Sequence, residues 1–388
     1  MIKKIITVLL ACLMVMTAVP VFASAQADAG LRFDDNGEFQ ILIFADSQDD
    51  EELEASTAQL MKEGIAKYQP DLVVFLGDNT VADGYDNQYK AIENILAPCI
   101  EANVPFALVF GNHDQENKVE KEDLLAIYQE VGGDLCLTWD VADLYGCGNS
   151  NLVIMSSDNA APAFNLWFID SGSSLRDGDE WLGYDYVRED QIAWYENTAA
   201  ELKAANGGET VPSILFQHII VPEVYEALYP EMALPIKDFT YKGTTYLPVP
   251  SFSKHTGVIF EPSCPSYYSA GQFDSLVATG DVLATIHGHD HINDFTVNYQ
   301  GVDIVTVPSV GCNSYSNDLT RGFGLITLDE SDLTTYSYET IYMFDMALEE
   351  GSALTQTEGG MSKFTATFMR FFRGVLDKIH AVFYNLPF

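Results

Sequence analysis

The chain has 388 residues and a formal net charge of −38, from 57 Asp and Glu against 19 Lys and Arg. With 47% hydrophobic and 12% aromatic residues it is not a disordered polar chain, and it can bury a large core. So acidic a surface repels polyanions, and no nucleic acid is expected as a partner.

Residues 1–25 differ from the rest. "MIKK" is a short basic start, "IITVLLACLMVMTAVPVF" is apolar, and "ASA" ends at Ala25. This pattern predicts a signal peptide over 1–25 and a secreted or extracytoplasmic protein. A retained membrane anchor and a lipid-modified Cys12 in "LLAC" are the alternatives; Pro20 and the Ala23/Ala25 pair favour cleavage. Five cysteines follow: Cys99, Cys136, Cys147, Cys264 and Cys312. None has metal-type spacing; Cys136 and Cys147 could bridge in an oxidising compartment, and otherwise they read as small free hydrophobes.

Residues 26–350 read as one domain. "FQILIFAD" (39–46), "DLVVFLGD" (71–78) and "PFALVFGNHD" (105–114) are apolar strands, separated by helices over 52–68 and 88–102. A helix near 121–131, the strands "NLVIMSS" and "FNLWFID", a helix over 189–205 and the strand "SILFQHI" (213–219) follow. Beyond residue 280 the pattern is mostly strands: "VLATIHG", "FTVNYQ", "VDIVTVP", "FGLITLDE" and "TTYSYETIYMF". Strands alternating with helices predict an α/β fold with helices covering a parallel or mixed sheet.

What ends each strand carries the chemistry. The first ends in "ADSQ" (Asp46, Gln48), the second in "GDN" (Asp78), the third in "GNHD" (Asn112, His113, Asp114), a later one in "FQH" (His218) and the last in "HGHDH" (His287, His289, His291). Open α/β sheets bind ligands beyond the carboxyl ends of their strands. Glycines before Asp78, Asn112 and His289 allow the tight backbone that turns side chains toward one centre. Carboxylates, amides and imidazoles together suit two divalent cations, one carboxylate bridging both.

The ordered set D-x-[HQ], GD, GNHD, H, GHxH resembles that of the calcineurin-like metallophosphoesterases. With "LWFIDSG", "GYDYVREDQIAWYENTAAEL" and "GHDHINDF", it is most similar to the plant purple-acid-phosphatase-like and fungal Dcr-type branch. The resemblance covers roughly residues 38–330. It implies a four-layer α/β/β/α sandwich, two mixed sheets flanked by helices. It further implies a first metal held by Asp46, Gln48, Asp78 and His291, and a second by Asp78, Asn112, His218 and His289. His113 would face the leaving group as general acid, and Asp114 would orient it. The implied reaction is hydrolysis of a phosphate ester by a metal-bridging hydroxide, acting on a small molecule or a phosphorylated substrate.

Two residues depart from the family pattern. Gln48 replaces the usual His, which makes the first site richer in oxygen and favours Mn, Fe or Mg, with Zn possible. Val81 stands where purple enzymes carry Tyr, so no iron–tyrosinate colour is expected. His287 is read as a packed histidine behind the ligands. Substrate contacts are not written in the motifs; Lys254, His255, Glu261, Tyr267 and Tyr268 are candidates in the 250–275 wall, and ordinary loop residues are the simpler reading. The competing functions are a catalytically weak or silent relative that binds phosphorylated ligands, and a cell-surface attachment protein.

Residues 351–363 read as a polar linker, and 364–388 as an amphipathic C-terminal helix. Phe364, Phe368, Phe371, Phe372, Val375, Ile379, Val382 and Phe383 share one broad face. Arg370, Arg373, Lys378 and Asp377 tend to the other. A basic aromatic helix of this kind can contact a membrane or envelope surface, or dock on its own acidic domain.

Overall fold

The structure is a computed structural model; it describes residues 30–234 and 239–384. The expected signal peptide over 1–25 and the last four residues of the tail lie outside these. Among the described residues, no helix is long and apolar enough to cross a membrane.

In chain order the elements are β1 (Glu38–Phe44), α1 (Ala55–Tyr68), β2 (Leu72–Leu76), α2 (Tyr85–Ala102), β3 (Phe106–Val109), α3 (Lys121–Gly132), β4 (Ser150–Met155) and β5 (Pro162–Phe168). Then come β6 (Ser174–Asp177), β7 (Glu180–Tyr184), α4 (Glu189–Ala205), β8 (Ser213–Phe216), α5 (Val224–Leu228), β9 (Glu231–Met232), β10 (Thr240–Tyr241), β11 (Thr244–Tyr246) and β12 (His255–Val258). The chain ends with α6 (Gln272–Thr279), β13 (Val282–His287), β14 (Asp294–Tyr299), β15 (Val302–Thr306), β16 (Gly322–Asp329), β17 (Ser337–Tyr342), α7 (Met343–Leu348) and α8 (Lys363–Tyr384).

Two mixed sheets dominate. One has the order β17-β16-β1-β2-β3, the other β12-β14-β15-β13-β8-β5-β4. β1, β2 and β3 run parallel, as do β5, β8, β13 and β15, and antiparallel strands extend both sheets. Side chains alternate across each strand and sort the core into layers. Ile41, Ile43, Val74 and Leu76 of one sheet meet Leu166, Phe168, Phe216 and Ile286 of the other. The outer face of the first sheet (Leu42, Phe44, Val73, Phe75) is covered by α1, α2 and α3 through Leu60, Ile92, Ile95 and Leu124. The outer face of the second (Trp167, Leu215, Ile304) is covered by α4, α5 and α6 through Tyr195, Tyr225 and Phe273. This is the expected four-layer sandwich.

The sequence reading missed the β6–β7 hairpin and the short sheet of β9, β10 and β11, which have little hydrophobic patterning. All five cysteines among the described residues are free.

The stretch read as a linker is packed. Leu354 and Met361 are buried, and Glu63 of α1 accepts hydrogen bonds from Ser352 Oγ and the Ala353 amide, both at 2.7 Å. α8 does not stand apart either. Ala366 is buried in the α1–α3 core, and the Arg373 side chain, 6% exposed, reaches Asp294. Arg373 Nη2 donates to Asp294 Oδ2 at 2.7 Å and Nε to Asp377 Oδ1 at 2.8 Å, with the guanidinium 4.5 Å from the Tyr342 ring centre. Thr340 and Tyr342 donate to the same Asp294 carboxylate at 2.7 and 2.5 Å. The helix therefore docks through its basic side, while Phe364, Phe368, Phe371, Phe372, Val375, Ile379 and Val382 stay exposed.

Breaking a buried pair strands a charge, whereas an exposed pair contributes little. Arg373→Ala is expected to cost about 3–5 kcal/mol in chemical denaturation. Arg370→Ala, which removes the exposed pair with Asp345, should cost below about 1 kcal/mol.

Candidate metal centre

The carboxyl ends of β1, β2, β3, β8 and β13 bring their polar residues to one edge. Two overlapping groups of ligand atoms result: Asp78, His218 and His289, and Asp46, Asp78 and His291, the atoms of each group lying within 4.8 Å of one another. All five side chains are buried, and Asp78 belongs to both groups.

The backbone bends sharply to achieve this. Asp46, Gln48, Asp78 and His289 adopt φ of 51°, 41°, 49° and 72°, a left-handed conformation that non-glycine residues seldom take. Backbone bonds hold the bends: Asp46 N to Gly77 O at 3.1 Å, and Gln48 N to Asp78 O at 2.9 Å. Gly111 is required by close approach, since a Cβ there would lie 2.1 Å from Asp78 Oδ1.

The imidazoles are set up as ligands. His218 Nδ1 lies 2.9 Å from the Leu76 carbonyl and His291 Nδ1 2.9 Å from the Tyr315 carbonyl. A carbonyl only accepts, so each Nδ1 carries the proton and each Nε2 lone pair points inward. His218 Nε2 then sits 3.2 Å from Asp78 Oδ2, and His291 Nε2 3.4 Å from Asp46 Oδ1. Lone pairs facing carboxylates need a cation between them. Three buried atoms here, Asn112 Oδ1, His218 Nε2 and His289 Nε2, have no hydrogen-bond partner. Orphaned buried acceptors are costly in a native fold, and these are the atoms a metal would satisfy. The residues fit a metal centre.

The charges agree. Burial pushes Asp46 up to about 6 despite the nearby imidazoles. Burial also pulls Asp78 upward, but His218 and His113 outweigh it and hold the carboxylate well below its usual range. Burial works against a charged His218, yet Asp78 and Asp46 raise it to about 10; burial pushes His289 down to about 3. The carboxylates thus favour positive charge beside His218 Nε2, which is what a bound cation would supply.

Other expected residues fall differently. Gln48 touches Asp78 through its amide nitrogen, Nε2 donating to Oδ2 at 3.1 Å, so ligation through oxygen would require the amide to turn. His113 is half-exposed, with its amide on Asp78 Oδ1 at 2.7 Å and Nε2 4.0 Å from Asp78 Oδ2. Asp114 does not orient it. The buried Asp114 carboxylate accepts the amides of Gly111 (2.7 Å), Asn79 (2.9 Å) and Thr80 (3.3 Å), bracing the second strand end against the third. The partner of His113 Nδ1 is Glu116, at 2.6 Å. Glu116 was readable only as a carboxylate three residues downstream in "HDQE". His287 is fully buried behind the ligands, burial pushing it down to about 3.

Within the proposed wall, Glu261 accepts the Ile292 amide at 3.0 Å, beside His291. Tyr268 stacks on Tyr186. His255 packs against Phe252, Phe295 and His380 of α8, and Lys254 beside it is exposed.

Comparison with known proteins agrees with this geometry. The family model described as calcineurin-like phosphoesterase matches residues 39–293. The chain is 29% identical to "Probable inactive purple acid phosphatase 29" of Arabidopsis thaliana over 337 residues, 79% of each chain. It is 28% identical to "Probable inactive purple acid phosphatase 14" of the same plant, over 67% of this chain and 63% of that one. It is 30% identical to "Phosphatase DCR2" of Saccharomyces cerevisiae, over 58% of this chain and 37% of that one.

If the centre binds metal, the fold gains stability from it. At a hundredfold excess over Kd, Mn²⁺ should add about 2.7 kcal/mol to the wild type. In Asp78→Asn, which removes the shared carboxylate charge, less than half of that gain should remain. Thermal unfolding with and without Mn²⁺ checks both.

Proposed function

The chain belongs to the calcineurin-like phosphoesterase family, and from that premise we propose that it is a secreted, dimetal hydrolase of phosphate esters, with His113 as the acid that protonates the leaving group. One observation carries the reading: a single buried carboxylate, Asp78, is shared by two groups of inward-facing ligand atoms. Asp46, Asp78, His291 and an inward-turned Gln48 would hold one cation; Asp78, Asn112, His218 and His289 would hold the other. The oxygen-rich first set favours Mn, Fe or Mg, with Zn possible. Bound there, the pair would polarise the phosphoryl oxygens of the ester and activate a water.

The chain's own residues do the rest. Asp78, fixed by the His113 amide, would keep the two cation positions close. Glu116 on Nδ1 turns Nε2 of His113 toward the centre. Burial lowers the affinity of His113 for a proton, but Asp78 and Glu116 outweigh it and raise it above the ordinary value. His113, half-exposed at the mouth, is placed to pass a proton to a departing alkoxide.

p-Nitrophenyl phosphate and bis(p-nitrophenyl) phosphate, with and without Mn²⁺, test the proposal. Metal-dependent release is expected from at least one of them, and Asp78→Asn should abolish it. His113→Ala should keep its metal and lose roughly 10²–10⁴ in rate, with a smaller loss for esters with good leaving groups. A metal-loaded wild type that releases nothing would favour the reading as a silent phospho-ligand binder.

The N-terminal pattern supports export, and the outward face of α8 supports contact with a lipid surface. Arg370 and Arg373 are engaged by Asp345 and Asp294, so the attraction would be apolar burial rather than charge. The mature chain should co-sediment with phosphatidylcholine vesicles with little dependence on salt. Phe368→Ser combined with Phe371→Ser and Val375→Ser, all at exposed positions, should remove binding without unfolding the chain. Equal sedimentation of both forms rules this contact out.

A further inference from the structure

The mouth of the metal centre is lined with rings that metal binding does not require. Tyr184 stands edge-on to the His289 imidazole, with centroids 4.3 Å apart. Trp181 stands edge-on to Tyr184 at 5.6 Å and to Tyr267 at 6.5 Å. The path runs outward from a buried candidate ligand to a tryptophan that is 45% exposed. On the other side of the HxH turn, Tyr315 lies flat on His291 at 4.1 Å and is 56% exposed. Its hydroxyl reaches Glu261 Oε2 at 3.2 Å.

This ledge is built into the fold. The β6–β7 hairpin that carries Trp181 and Tyr184 is rooted at the centre, Ser173 Oγ donating to the Asn112 carbonyl at 2.8 Å. Ser266 Oγ donates to the Tyr184 carbonyl at 2.8 Å, tying the hairpin to the segment that holds Tyr267. Gly183, at φ of 137°, lets the strand lie on that ring, because a Cβ there would be 2.7 Å from Tyr267 Cδ2. A tryptophan held this way keeps an apolar surface open to solvent beside an otherwise polar centre.

We infer that the ledge of Tyr184, Trp181 and Tyr267 is a leaving-group subsite, taking esters whose alcohol is aromatic or otherwise flat and uncharged. The inference rests on the phosphoesterase reading above. A flat ring gains both burial and edge or stacking contacts on such a ledge. The carboxylates of Glu116 and Glu261, beside His113 and His291, disfavour additional phosphates on the substrate. The small charged head would sit over the cations and the flat group against the rings.

The test uses the metal-loaded mature chain and Trp181→Ala, with 1-naphthyl phosphate and glycerol 2-phosphate. Loss of the exposed ring should raise KM for the naphthyl ester roughly three- to tenfold and leave the glycerol ester within about twofold; Trp181→Phe should restore most of the difference. Arg176→Ala is the charge control, because Arg176 pairs with Trp181 across the hairpin, and it should spare the naphthyl preference. Equal effects on both esters, or an effect of Arg176→Ala as large as that of Trp181→Ala, overturns the inference. A binding readout separates this from failure of the phosphoesterase reading. Phenylphosphonate should quench tryptophan emission in the wild type, methylphosphonate should not, and the difference should vanish in Trp181→Ala. If no ester is hydrolysed but this quenching appears, the subsite stands and the catalytic reading falls. If the two phosphonates behave alike, the subsite falls.

Discussion

The structure depends on two carboxylates, Asp46 and Asp78, buried at the seam of two sheets and facing imidazole lone pairs. Buried charge is tolerated only when it is paired or coordinated. The His113 and Gln48 amides donate to Asp78, and His218 Nε2 faces it at 3.2 Å. The left-handed turns at Asp46, Gln48, Asp78 and His289 are the conformational cost of aiming five strand ends at one point. That strain persists because the inter-sheet core of Ile41, Ile43, Val74, Leu76, Phe168, Phe216 and Ile286 over-determines the backbone behind it. Asp114 adds a brace, joining the turn after β3 to the turn after β2 by accepting three amides.

Much of this was legible in the sequence, for a physical reason. A parallel strand buried on both faces is a run of apolar residues, and the first polar residue after it marks the edge where ligands bind. Hence Asp46, Asp78, His218, His289 and His291, which cluster in the structure, could be placed together from their positions after such runs. What could not be read is which acceptor a given donor chooses. Asp114 is adjacent to His113 but points back into the amides of the loop, and the imidazole takes the exposed Glu116. Neighbours in sequence project in different directions at a tight turn, so adjacency says little about contact. The β6–β7 hairpin was missed because its side chains are mostly exposed and its stability comes from being laid on Tyr267 and rooted at Asn112.

The tail shows the same limit. Its amphipathic pattern predicted a helix, and residues 363–384 form one. The pattern did not say which face would be covered. A wide aromatic face would ordinarily turn inward, but here the narrow side with Ala366 and Arg373 does so. The polar, glycine-containing stretch 351–362 read as a spacer by composition. It packs nonetheless, because Leu354 and Met361 supply apolar anchors and Glu63 supplies an acceptor for its backbone.

These two regions are physically joined. β14 begins at Asp294, three residues beyond His291, and the carboxylate of Asp294 is the anchor for Arg373. Thr340 and Tyr342 of the edge strand β17 grip the same carboxylate. One acid thus links the loop carrying the HxH ligands, the far edge of the first sheet and the C-terminal helix. Each of the three partners offers a donor to Asp294, and Arg373 supplies the counter-ion that its buried charge needs. Removing Arg373 would leave the Asp294 charge buried without its counter-ion. The helix is therefore part of the scaffold that sets where His291 begins its turn, even while its opposite face looks away from the domain.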